Sequence, residues 1–147
     1  MMGSRAVATT ELRIPADPDY IVVAKRAASG MASVAGLGLE ALDELNIAIV
    51  EACDHTIRAA AMAGIVDARV RINFAVQEDA LRVEVRLLGS KPSTQVAAGP
   101  PSAPSTAASA QALDLAISML RCFADDVDFQ AAGNGLMRVR LAKYRWR

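Results

Sequence analysis

Net charge is the first thing this sequence lacks. Sixteen basic residues balance sixteen acidic ones, so no global field draws the chain toward nucleic acid or an anionic membrane. Any partner must be recognised locally. Thirteen of the sixteen basic residues are arginine, whose planar guanidinium makes paired hydrogen bonds to carboxylates at protein interfaces as well as to phosphate. Long apolar runs are also missing. None approaches the roughly 20 residues that cross a bilayer, and the N-terminus shows neither the charged nor the apolar region of a secretory leader. The expected location is the cytoplasm, with no membrane and no nucleic-acid partner. Histidine occurs once, as His55, and cysteine twice, as Cys53 and Cys122. A lone imidazole with one neighbouring carboxylate, Glu51, falls short of the three or four ligands of a tight transition-metal site, so no metal centre is expected. Both cysteines lie in apolar periodic segments and read as buried, reduced thiols. Walker loops, zinc frameworks, and Ser-His-Asp or Cys-His arrangements are absent as well.

What is present fits one domain over residues 1–147, long enough to bury a core without staples. Residues 11–14 alternate polar and apolar, with Leu12 and Ile14 on one side, and Pro15 ends this short strand. Asp17-Pro18 opens a helix as cap and first helical residue. That helix turns Ile21, Ala24, Ala28 and Met31 inward and ends near Gly36. The longest helix covers residues 39–62, with Leu42, Leu45, Ile49, Cys53, Ile57 and Ala60 spaced three and four apart, and Gly64 closes it. Residues 69–76 then alternate strictly. Val70, Ile72, Phe74 and Val76 share one face, opposite Arg69, Arg71, Asn73 and Ala75. After a turn at Gln77-Glu78-Asp79, Leu81, Val83, Val85 and Leu87 repeat the apolar face, which predicts a hairpin.

Residues 89–108 are rich in Ser, Thr, Ala and Pro, lack periodicity, and read as a mobile lid loop. A third helix is expected over residues 109–123, with Leu113, Ile117, Leu120 and Cys122 among its apolar positions. Two strands, 126–131 and 136–144, follow around Gly133-Asn134-Gly135. The order β-α-α-β-β-α-β-β, with one apolar face on every strand, predicts an α+β two-layer sandwich. Its mixed or antiparallel sheet is covered by helices on one face only, because the charged face would otherwise be buried unpaired.

This order, and above all the segment LDELNIAIVEACDHTIRAA at residues 42–60, resembles the RsbW and SpoIIAB anti-sigma factors, short members of the GHKL ATPase (HATPase, Bergerat) fold. The segment is similar to the family's N-box helix, in which a Glu and an Asn stand four residues apart. Glu51 matches the Glu, and His55 stands at the Asn position. The resemblance implies that Glu51 is the base for a substrate serine hydroxyl and that position 55 serves the magnesium of bound ATP. A spacing of four puts both on one helix face. By residue type alone, Glu51, His55 and Arg58 are equally a solvated face carrying an acid-to-cation pair at i and i+4.

Four other positions depart from the family pattern. The adenine-binding Asp-x-Gly-x-Gly box corresponds to Leu87-Leu88-Gly89-Ser90-Lys91, so Leu87 replaces the acceptor for the adenine amino group and only Gly89 is kept. The phosphate-binding Gly-x-Gly-Leu step corresponds to Ala112-Leu113-Asp114-Leu115. There Ala112 replaces a glycine, and Asp114 puts a carboxylate where phosphate would lie. ATP and magnesium are the cofactors the resemblance implies, and these substitutions count against both. The expected function is therefore an anti-sigma-like regulator, a homodimer binding a sigma factor, a STAS-domain antagonist, or both. The alternative is an active serine kinase that phosphorylates the antagonist.

Overall fold

The computed structural model describes residues 8–90, 103–132 and 135–145. Five strands form one sheet in the order β1-β2-β3-β5-β4: β1 (Ala8–Pro15), β2 (Val66–Val76), β3 (Ala80–Ser90), β4 (Asp126–Ala132) and β5 (Gly135–Tyr144). Every neighbouring pair is antiparallel. Three helices, α1 (Ile21–Ala35), α2 (Leu39–Ala63) and α3 (Ala103–Phe123), complete the described chain. The expected order and two-layer class are therefore observed, and the sheet is wholly antiparallel.

Alternation decides which face is covered. Val70, Ile72 and Phe74 on β2, with Leu81, Val83 and Val85 on β3, are buried beneath the helices. Each such side chain stabilises the fold by about 1.5–3 kcal/mol through burial. The intervening Arg71, Asn73 and Glu84 lie on the opposite face. From α2, Leu45, Ala48, Ile49, Ala52, Cys53, Thr56, Ile57 and Ala60 form the buried stripe. Its 25 residues span about 37 Å at 1.5 Å per residue. Next to it, α1 presents Ala24, Ala28, Ala32 and Ala35, which let its backbone approach closely. Ile21 and Met31 are only partly buried at its margins, and Asn46 Nδ2 of α2 donates to Ser29 Oγ of α1 at 3.1 Å.

The helix ends follow local chemistry. Asp17 accepts from the Asp19 amide ahead of a short 3-10 turn, Pro18–Tyr20, that leads into α1. Gly36 and Gly64 close α1 and α2 in the left-handed conformation, where a Cβ is unfavourable. At the Gln77–Ala80 turn, the Gln77 amide donates to Ala80 O at 2.9 Å, and Arg145 from the end of β5 donates to Asp79 O and Glu78 O, both at 3.0 Å. Lys143, only 3% exposed, points into the helix layer, where its Nζ lies 2.7 Å from Glu44 Oε1 and 3.9 Å from Asp125 Oδ1.

Three sequence expectations need correction. The segment read as a loop through residue 108 is already helical from Ala103, and Gly89 and Ser90 belong to β3. Residues 103–108 are small and weakly apolar, so they carry helix propensity without periodicity, and Pro104 is tolerated in a first turn. The rest of the expected lid, residues 91–102, lies outside the described residues, as do Gly133 and Asn134 of the last turn. Cys122 is exposed, not buried. On α3 the buried stripe runs through Ala116, Ile117 and Leu120, and a residue two beyond Leu120 is turned about 200° away from it. Only Cys53 follows the expected burial. Desolvation, with Asp54 adding to it, pushes its thiol up to about 12, which keeps it protonated and unreactive. The third correction concerns α2: the ion pair formed at a spacing of four is Arg58 Nη2 with Asp54 Oδ2 at 3.1 Å, while Glu51 and His55 make none among the described residues.

Candidate functional site

The middle of α2 positions Glu51 and His55 on one helix face, one turn apart, each half-buried. Their neighbours Ala52, Cys53 and Thr56 belong to the buried stripe, so the pair lies at the boundary between core and surface. That boundary shifts both groups toward neutrality. Partial burial raises the Glu51 carboxyl above its ordinary value; Asp54 adds to the rise and Arg58 opposes it. Partial burial likewise lowers the His55 imidazole, helped by Arg58 and opposed by Asp54. A carboxylate whose proton affinity is raised is a better base. An uncharged imidazole is a hydrogen-bonding group and a soft ligand, whereas magnesium prefers hard oxygen donors.

Leu87 is half-buried on β3 and pairs with Val70 of β2. By alternation it shares the helix-covered side with Val83 and Val85, and it offers hydrocarbon where the family pattern calls for an acceptor. Two residues on, Gly89 faces an irregularity in the β2–β3 ladder between Val66 and Arg69. Asp67 there takes a left-handed backbone, φ 54°, which Asp tolerates better than most residues. The irregularity folds the start of β2 onto Gly89. A Cβ at Gly89 (φ 151°) would run into Ile65 Cγ2 and stand 3.0 Å from Val66 O and 3.3 Å from Ala68 Cα. The space left by the missing side chain is thus filled by this chain's own Ile65.

On α3, Ala112 and Asp114 are exposed, while Leu113 between them packs against the core. The structure therefore unites Glu51 and His55 on one face, holds Leu87 and Gly89 at the end of β3, and leaves Ala112 and Asp114 at the surface of α3. Sequence reasoning passed over Asp54, which shifts both Glu51 and His55, although its i, i+4 relation to Arg58 was readable. It also passed over Ile65, whose contact with Gly89 depends on a ladder irregularity that no pattern announces, and over Thr56, fully buried with its hydroxyl unpartnered among the described residues. Among the described residues, no group of three His, Cys, Asp or Glu side chains is placed to hold a metal ion, and no helix is long and apolar enough to cross a membrane. A separate cavity of about 610 Å³ lies against the open face of the sheet, lined by Asn73, Arg82, Glu84, Asp126, Asp128 and Arg140 among others. None of the expected site residues contributes to it.

Comparison with known families places these features. The histidine kinase-like ATPase domain matches residues 14–143, from β1 to the end of β5. The chain belongs to that family. Among curated proteins, the histidine kinase-like domain described here is 35% identical over 74 residues to the serine-protein kinase RsbW of Listeria monocytogenes serovar 1/2a, covering 50% of this chain and 46% of that protein. To the RsbW of Bacillus licheniformis strain ATCC 14580 it is 33% identical over 81 residues, 55% of this chain and 50% of the relative. In these two matches the chain spans about half the length of its relative. A longer match, 29% identical over 138 residues, covers 91% of this chain and 84% of the RsbW of Bacillus pumilus. The resemblance read from residues 42–60 thus extends to an RsbW-type domain of the GHKL fold.

Proposed function

We propose that this domain acts as an anti-sigma-factor-like regulator, binding a sigma factor, a STAS-domain antagonist, or both, with a nucleotide site that has lost its selectivity for ATP. The observation that carries the reading is at the end of β3. Leu87 supplies no acceptor for an adenine amino group, and the cradle at Gly89 is occupied by Ile65. An unmet hydrogen bond in a buried site costs roughly 1–3 kcal/mol. Asp114 on α3 adds a like charge where a phosphate would approach, and a neutral His55 is a poor magnesium ligand. The residues present therefore do not fit magnesium-ATP, while the scaffold that presents α1 and α2 is intact. Exposed Val22, Val23 and Val34 on α1 support partner contact through that helix. A homodimer, cytoplasmic location and control of transcription complete the proposal.

A kinase reading retains one supporting observation, the raised proton affinity of Glu51, which suits a base for a serine hydroxyl. Two experiments separate the readings. Calorimetry with magnesium-ATP is expected to show no micromolar binding, and co-elution with a sigma factor is expected without nucleotide. Micromolar ATP binding, together with labelled phosphate transfer to a STAS-domain protein that is abolished by Glu51→Ala, would reverse the assignment.

A further inference from the structure

The sheet face that carries no helix among the described residues holds an unusual line of charge. The ladder sets Arg13 opposite Arg71, Arg71 opposite Arg86, and Arg86 opposite Arg138. Four guanidinium-bearing positions thus follow one another across four adjacent strands at a single level. Strands lie 4.7–4.9 Å apart, so the line is about 14 Å long. Directly opposed like charges destabilise a sheet, and such a row needs acceptors. The face itself supplies few. Arg13 has Glu11 at 2.7 Å. Glu84 alone serves Arg71 at 3.6 Å, Arg138 at 3.9 Å and Arg140 at 3.0 Å. Three guanidinium groups carry about fifteen N–H donors, and one carboxylate offers about four lone pairs. Arg71 Nε is buried with no acceptor, and Arg86, which is exposed, has no ion pair among the described residues. The line is donor-rich beyond what the described residues satisfy.

We infer that the helix-free face of the sheet, along Arg13, Arg71, Arg86 and Arg138, is a docking surface for an acidic polypeptide segment. An extended chain rises 3.3–3.4 Å per residue, so acids at i, i+2 and i+4 span about 13–14 Å and match the line. Each carboxylate accepts paired bonds from a guanidinium. A second copy of this chain fits the need poorly, because its own face brings the same row of guanidinium groups, its Glu11 and Glu84 are already engaged and its Asp126 accepts from Tyr144, which leaves Asp128 against four arginines. Nucleic acid fits less well. Glu11 and Asp128 each lie one same-face position from the line, and Asp126 one further; they oppose a polymer with a charge every 1.7 Å while leaving room for a peptide that is acidic only at alternate residues. The surface lies on the opposite side of the sheet from α1 and α2, so it is independent of the regulatory reading given above.

The test is fluorescence anisotropy of the full chain with a labelled alternating Glu-Ser octapeptide at low ionic strength. The alternating Gln-Ser peptide and a short DNA duplex serve as competing probes. Binding of the Glu-Ser peptide is expected to weaken with salt and by about tenfold in Arg86→Glu/Arg138→Glu. Arg86→Glu alone breaks no ion pair of the fold and is expected to weaken it measurably with unchanged thermal melting. Arg121→Glu, on α3, is expected to leave binding unchanged. Equal affinity for the Gln-Ser peptide, tighter binding of the duplex, an equal loss in Arg121→Glu, or a self-association in sedimentation that Arg86→Glu dissolves would each overturn the inference.

Discussion

Substituting Gly89 by alanine tests what that glycine is for. If it is kept to let a purine approach the backbone, adding a methyl alters nucleotide binding and leaves stability alone. The structure gives the opposite expectation, because the added Cβ runs into Ile65 Cγ2 and approaches the Val66 carbonyl and Ala68 Cα. Overpacking of this kind costs about 1–3 kcal/mol. A backbone at φ 151° adds about 1–2 kcal/mol for a residue with a side chain. The total, about 2–5 kcal/mol, corresponds to a fall in melting temperature of about 5–15 °C for a chain of this size. Urea denaturation of wild type, Gly89→Ala, Ile65→Ala and the double variant makes a complete cycle. Ile65 is half-buried, so its truncation alone should cost less than a full core deletion, about 1–2 kcal/mol. The double variant should recover about 1–3 kcal/mol relative to the sum of the single changes. A Gly89→Ala protein that unfolds at the wild-type midpoint, or a cycle with no coupling, would refute the idea that Ile65 fills the cradle.

Other expectations follow from the same geometry. Asp67→Gly removes the cost of a left-handed backbone at the ladder irregularity and should stabilise by up to about 1 kcal/mol in urea melts. Glu44→Ala leaves the buried Lys143 ammonium with only the distant Asp125 carboxylate, and should cost about 2–4 kcal/mol, whereas Lys143→Met should cost less because no charge is stranded. The imidazole of His55 is harder to protonate in the fold than in the unfolded chain, whose value is 6.5. The unfolded state therefore takes up more protons as the pH drops below 6.5, and stability falls from there toward the lowered folded value. Glu51 acts in the opposite sense: its folded state holds a proton more tightly than the ordinary 4.5, so stability rises as the pH falls through its raised value. Comparing wild type with His55→Asn in denaturant melts across this range should show a shallower loss below pH 6.5 in the variant, and identical slopes would count against the burial of the imidazole.

The secondary structure was readable wherever a face alternates or repeats. Val70, Ile72 and Phe74 set against Arg69, Arg71 and Asn73 fix both the strand and its buried side, and Leu45, Ile49, Cys53 and Ile57 do the same for α2. The start of α3 was not readable, because residues 103–108 have helix propensity without an apolar stripe. Cys122 misled because it is apolar by type yet sits off the stripe set by Ile117 and Leu120. In the candidate site, the placement of Glu51 and His55 on one face followed from spacing alone. The filling of the Gly89 cradle did not, since it depends on Asp67 adopting a left-handed backbone and swinging Ile65 across the strand end. The arginine line was hidden for a similar reason: each Arg was visible in its own strand, but only the register between strands sets the four at one level.

One asymmetry in β3 bears on how the domain moves. From Leu81 to Arg86 this central strand is laced to β5 on one side and β2 on the other, whereas from Leu87 to Ser90 its strand partners among the described residues all belong to β2. Hydrogen exchange should therefore grade along a single strand, slow in its first half and fast in its last turn of pleat. Opening of the strand should therefore begin at its singly laced end, while the doubly laced centre keeps its register.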